Sequence, residues 1–118
     1  MIFYNQQGKP IAYTDDNKII YLFSGHPVAY FYRDVIYGFN GHQFGWFLNG
    51  WVRDLKGNCV FFTDHHSGSG PAIPARHAIP ARGAKYAIPA RYAIQAVRSR
   101  PAISCSWSDL SNESFFKQ

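Results

Sequence analysis

Chemistry in this chain would have to come from a small set of side chains. Four of its five histidines, His26, His42, His65 and His66, stand where a metal could be sought. Adjacent His65 and His66 on a Gly/Ser-rich stretch cannot easily both point at one ion, and no Asp, Glu or Cys completes a known ligand spacing. The reading is an exposed loop, with no metal and no cofactor. Cys59 and Cys105 form no CxxC pair. In a chain whose start shows no secretory leader they are expected to be free thiols of a reducing, cytoplasmic compartment. Most carboxylates sit in turns (Asp15, Asp16, Asp34, Asp64), which argues against a paired-carboxylate hydrolase. No GxSxG turn presents a nucleophile, and no glycine-rich loop precedes a helix to cradle phosphate. The expectation is a protein that is not an enzyme and has no catalytic residues.

The cations are more suggestive. Arg76, Arg82, Lys85, Arg91, Arg98 and Arg100 lie in a segment, residues 65–108, that contains no Asp or Glu before Asp109. Residues 1–64 hold five basic and five acidic residues, so the net charge of +5 and the isoelectric point near 9.4 belong to this segment. With His77, Tyr86 and Tyr92 interleaved, the six cations are the candidate contacts to an anionic polymer or nucleic acid, tracking a backbone while aromatics stack on bases. The plainer reading, which we favour, is a solubilising face on which arginines point out where isoleucines pack in. Recognition by an aromatic-groove partner is a further option if the segment is free.

These residues must be positioned by two different repeats. In residues 1–64 one motif occurs four times, centred on Gly8, Gly25, Gly41 and Gly57, at spacings of 17, 16 and 16 residues. Four residues before each glycine stand Tyr4, Tyr21, Tyr37 and Arg53; five after stand Tyr13, Tyr30, Trp46 and Phe62. Such a repeat cannot bury its apolar face alone and must stack on its neighbours. Asn40-Gly41 predicts a two-residue hairpin turn, with Gln7-Gly8, Ser24-Gly25 and Lys56-Gly57 as weaker versions. Asp16-Asn17, Arg33-Asp34 and Asn49-Gly50 predict the turns between repeats, giving eight short strands in a meander. One face pairs Ile2, Ile19, Val35 and Trp51 with Tyr13, Tyr30, Trp46 and Phe62, and places the Tyr/Arg position opposite Ile11, Val28, Phe44 and Val60. The other sets Phe3, Ile20, Ile36 and Val52 against Ala12, Ala29, Gly45 and Phe61, small partners that suit close backbone approach. Four such units in a ring would leave no long free edge.

A linker at residues 65–71 ends this pattern. From Ala72 to Ala96 alanine recurs at every third position, with prolines at 71, 74, 80, 89 and 101. A period of three with proline predicts a polyproline-II-like tail over residues 72–103, followed by a C-terminal segment, residues 104–118. Extended at about 3.1 Å per residue, the tail would run roughly 100 Å, so it must wrap the head, fold back, or stay in solvent. The unbroken alanine spacing favours wrapping, with alanine against a backbone, isoleucines buried beside it and arginines in solvent.

Together these pieces resemble the four-fold β-flower family. The likeness rests on Gly-x-Pro-x-Ala-Tyr at 8–13 and 25–30, on Tyr37-Gly-Phe-Asn-Gly with Gly45-Trp-Phe and Gly50-Trp-Val-Arg-Asp54, on the three-residue-period tail, and on Ser106-Trp107-Ser108-Asp109-Leu110-Ser111. It implies a cyclic four-hairpin fold and implies no activity. The expected architecture is all-β: four repeated hairpins in a closed, pseudo-four-fold, flower- or propeller-like arrangement, with the tail packed on it. The expected function is a non-catalytic binding or scaffolding module, with a protein partner foremost, nucleic acid as the alternative and no membrane association; an enzyme comes third.

Overall fold

The computed structural model describes residues 1–118. Its strands are β1 (Ile2–Tyr4), β2 (Pro10–Tyr13), β3 (Ile19–Leu22), β4 (Pro27–Tyr32), β5 (Val35–Tyr37), β6 (Gln43–Leu48), β7 (Trp51–Arg53) and β8 (Cys59–Phe62). Each pairs antiparallel with its neighbour in chain order, and β1 meets β8 at Tyr4 and Phe62, so the sheet closes into an eight-stranded barrel. The four repeats are the hairpins β1–β2, β3–β4, β5–β6 and β7–β8. Closure leaves no free sheet edge, which a sequence this apolar would otherwise expose to self-association. The molecule extends 36 × 36 × 22 Å, equal in two directions as a four-fold arrangement should be.

The glycine turns correct one expectation. The Gly41 amide donates to the Gly38 carbonyl (3.0 Å) and the Gly38 amide to the His42 carbonyl (2.9 Å), enclosing the three residues Phe39-Asn40-Gly41. Gly41 lies at φ +86°, so each repeat carries a type I turn followed by a left-handed glycine and a bulge, rather than a two-residue turn. Gly8, Gly25 and Gly57 repeat the same bonds and the same conformation. Two-residue reversals occur instead at the second and third connections between repeats, whereas the first, from Tyr13 to Ile19, is longer. Tyr32 pairs with Val35 across Arg33-Asp34, and Leu48 with Trp51 across Asn49-Gly50.

Strand register follows the expected alternation up to the bulge. Ile2, Ile19, Val35 and Trp51 pair with Tyr13, Tyr30, Trp46 and Phe62, and Phe3, Ile20, Ile36 and Val52 with Ala12, Ala29, Gly45 and Phe61. Beyond it, Tyr4, Tyr21, Tyr37 and Arg53 face Pro10, Pro27, Gln43 and Cys59, not Ile11, Val28, Phe44 and Val60. The extra residue turns those four side chains toward the barrel interior.

Two apolar layers result. Inside, Phe3, Ile20, Ile36, Val52 and Phe61 are sealed, and Phe3 reaches Phe31 and Phe47 on other hairpins. Small partners make that approach possible: a side chain on Gly45 would collide with the carbonyl of Arg53. Outside, Tyr13, Tyr30, Trp46 and Phe62 join the Tyr4, Tyr21 and Tyr37 rings in a belt whose stacked pairs are sheet neighbours, such as Tyr13–Tyr21 and Tyr30–Tyr37.

Residues 70–104 contain no strand or helix, and their backbone amides form no bonds with one another. They bond to the head instead. His77, Tyr86, Gln95 and Ser104 donate to the carbonyls of Gly8, Gly25, Gly41 and Gly57 at 2.9–3.2 Å. The tail therefore makes one circuit of the barrel with a period of nine residues, one unit per hairpin. A perimeter of roughly 110 Å around a 36 Å disc matches an extended run of this length. Its backbone passes so close that a side chain at Gly8, Gly25, Gly41 or Gly57 would strike the carbonyl of Ala75, Ala84, Ala93 or Ala102. The head, through its glycines, supplies the space that the alanine spacing assigns to the tail.

The side chains of the tail correct the other expectation. Ile73, Ile79, Ile88, Ile94, Val97 and Ile103 are exposed, as are the tail alanines. A single extended strand lying on a convex surface docks through its backbone and long cations, and has no second layer in which to bury aliphatics.

After the circuit the chain turns under the barrel. Cys59 and Trp107 form a parallel bridge, and Ser111 Oγ accepts from the Gln6 amide while donating to the Val60 carbonyl. A 3-10 helix, Glu113–Lys117, capped by the Asn112 side chain, then drives Phe115 into the inner layer against Phe44 and Phe61. No helix is long and apolar enough to cross a membrane.

Candidate functional site

Five of the six candidate cations already have partners within the molecule. Arg82 stacks on the Tyr13 ring at 3.9 Å and pairs with Asp15 at 2.8 Å. Lys85 reaches the other Asp15 oxygen at 3.0 Å and lies 4.7 Å from the Tyr21 ring. Arg91 covers Tyr30 at 3.9 Å, Arg76 approaches Tyr4 at 5.6 Å, and Arg100 pairs with Asp34. Arg98 is held only through its amide, which donates to the Gln43 side chain. The cations that pair with aromatic rings thus lid the outer belt, each such contact contributing about 0.5–1 kcal/mol at an exposed site.

The last two hairpins use other chemistry at equivalent positions. Tyr37 donates its hydroxyl to the Gln95 carbonyl (3.1 Å), and Arg53 donates to the Ser104 carbonyl (2.6 Å), one tail unit later. Arg53 is 2% exposed and also donates to the carbonyls of Gly57 and Ser69, at 2.8 Å each. One buried guanidinium, whose rigid fork suits several carbonyls at once, therefore ties the start of the tail to its end. In the sequence Arg53 is visible only as the break in the tyrosine series.

The histidines are dispersed, and no group of three His, Cys, Asp or Glu side chains converges on a point that could hold a metal ion. His26 stacks on Tyr86 of the tail, and His66 lies edge-on to Trp51 and Phe62. Both cysteines are free. Burial pushes the Cys59 thiol up to about 11, so near neutrality it is protonated and packs as an apolar group.

The two ends of the barrel differ. Phe115 plugs the glycine-turn end. The end formed by the connections between repeats is open, a cavity of about 560 Å³ lined by Met1, Thr14, Asp15, Asn17, Phe31, Arg33, Phe47, Gly50 and His65. Every inter-repeat connection and the exit into the linker contribute to it. Phe31 and Phe47 stand edge to face, 5.6 Å apart, each against the buried Phe3, and form an apolar floor. They occupy one repeat position, directly after Tyr30 and Trp46, where the first and last hairpins carry the buried Thr14 and Thr63.

The rim is polar. The hydrogen bond from Arg82, and then that from Lys85, holds the Asp15 carboxyl below its ordinary value. Asp16 is held low by the amides of Lys18 and Ile19, which fix the turn carrying Asn17. Arg33 makes no ion pair or side-chain hydrogen bond and rests 5.6 Å from the Tyr32 ring. Of the six candidate cations only Arg82 and Lys85 reach this rim, and they do so through Asp15; of the candidate histidines only His65 lines it. The aromatic pair one residue beyond the outer belt was the signal for the floor, and the nine-residue spacing of Arg82, Arg91 and Arg100 the signal for the tail's path.

Comparison with known proteins agrees with this architecture. A sequence model of the family described as 4-fold beta flower protein matches residues 1–116. No curated protein and no solved structure matches the chain significantly. Spanning both the barrel and the tail that encircles it, that match means the chain belongs to the 4-fold beta flower family.

Proposed function

We propose that this protein is a non-catalytic binding module whose ligand seat is the open mouth of the barrel, with the polyproline-like tail serving as an internal strap. The observation that carries the reading is the asymmetry of the ends: one is plugged by Phe115, while the other keeps two half-buried phenylalanines at the base of a 560 Å³ concavity. Clefts of about 300–1,000 Å³ with an apolar lining and a few polar groups are the usual seats of small ligands. That size favours a small ligand over a broad protein partner, which would need about 800 Å² of its own surface covered. Nucleic-acid binding through the tail is the weaker reading. Its cations would have to leave Asp15, Asp34 and the tyrosine rings before meeting phosphates. Free Cys59 and Cys105 suit a reducing compartment such as the cytoplasm.

The test is amide NMR on the full chain with a fragment library. Supporting fragments shift the resonances of Thr14, Asn17, Arg33, Gly50 and His65 together. Fragments that shift only tail amides, or none that bind at all, overturn the proposal.

A further inference from the structure

We infer that the mouth selects a small organic anion with a flat aromatic body, a claim that rests on the mouth being the binding seat. Phe31 and Phe47 supply the aromatic half of the argument. Their rings are edge to face at 69° and each approaches the buried Phe3, an unfinished herringbone whose open side faces the cavity. A planar ring entering there adds a further edge-to-face or offset contact, the arrangement that aromatic quadrupoles prefer, and removes apolar surface from water.

Charge supplies the other half. Among the lining side chains the acidic group is Asp15, and its two oxygens are already met by Arg82 and Lys85. That corner is therefore closed to a cationic ligand, because its carboxylate is shared between two positive charges. Arg33 is the opposite case, a cation on the rim with no carboxylate partner. It stands at φ +57° in the tight turn after β4, so its backbone is held by the reversal, while its side chain lines the opening beside the Tyr32 ring with no ion pair or hydrogen bond of its own. Nearby Asp34 is occupied by Arg100, and Asp16 accepts from backbone amides of its own turn. A planar guanidinium above an aromatic floor is matched to a carboxylate, sulfonate or phosphate carried on a ring.

The experiment uses two probes on the full chain: 8-anilinonaphthalene-1-sulfonate, and its neutral relative N-phenyl-1-naphthylamine, which lacks the sulfonate. Fluorescence titrations compare the wild type with Arg33→Gln and Arg33→Lys, each first confirmed as folded by near-ultraviolet circular dichroism. We expect Arg33→Gln to weaken the sulfonate probe about tenfold, leave the neutral probe unchanged, and be largely rescued by Arg33→Lys. Equal affinity of both variants for the sulfonate probe, or parallel weakening of the two probes, overturns the anion assignment while leaving the mouth as a seat for apolar rings. Failure of both probes to bind the folded wild type overturns the seat itself.

Discussion

The two ends of this barrel are built from the same repeat and have opposite fates. At the glycine-turn end, Ile11, Phe44 and Val60 are turned inward by the bulges and are buried in one cluster with Phe115, which packs on Phe44 and is itself fully buried. At the other end, Phe31 and Phe47 point into the same interior and are left half-covered at the bottom of an open cavity. A four-fold ring of short strands leaves an apolar opening at each pole, and this chain has one C-terminal segment with which to close one of them. The pole that is closed serves stability. The pole that is left open is where binding can be sought.

Breaking the plug should have the largest effect. Phe115→Ala is expected to cost about 3–5 kcal/mol, as removal of a fully buried aromatic does, and to open a second site for apolar dyes at the glycine-turn end. Urea unfolding measures the first, and dye titration the second. The matching change at the open pole, Phe47→Ala, should cost only about 1–2 kcal/mol, because that ring is partly solvated in the native state. Equal losses at the two poles would erase the distinction between plug and floor.

The strap gives a finer comparison between backbone and side-chain docking. Arg82→Ala removes a cation from the Tyr13 ring and from Asp15, and is expected to lower stability by about 0.5–1 kcal/mol. Ala81→Leu, at an exposed position beside it, should stay within about 0.5 kcal/mol. This ordering reverses the one that the alanine spacing suggests, and thermal melts of the two variants decide it.

The smallest expected effect is on pH dependence at the rim. The Asp15 carboxyl lies below its ordinary 3.8 because Arg82 and Lys85 bond to its ionised form. A depressed folded-state value means that the stabilisation is present above the unfolded value and disappears as pH falls through the folded one. The melting temperatures of wild type and Asp15→Asn should therefore differ slightly at pH 6 and converge as the pH falls through the lowered folded-state value of Asp15. A gap that persists at low pH would mean that Asp15 acts through packing and not through its charge.

Much of this architecture is legible in the residues because it depends on local rules. Turn glycines at a 16- to 17-residue spacing, alternating apolar positions and small residues opposite Phe3, Ile20 and Ile36 are enough to place eight strands, pair most of them in register and close the ring. Each of those features concerns residues within one hairpin or between adjacent ones. The sixteen-residue period also implies the equivalence of the four glycines, which share a φ between +80° and +98°.

What the tertiary structure decided involves partners far apart in the chain. Tail units 58 to 70 residues away hold the head through Tyr37, Asp15 and Asp34, and Ser111 reaches Gln6 across 105 residues. An alanine series with period three cannot announce that docking repeats every nine residues, because the docking period is set by the spacing of hairpins around a closed barrel. Nor could Arg53, read as an odd member of a tyrosine column, reveal that it binds carbonyls at both ends of the strap. Local patterns in the sequence determined the ring and its repeat. Which pole was plugged, which stayed open and where each cation came to rest followed from closure, since only a closed ring brings the first hairpin, the last hairpin and the C-terminus to one place.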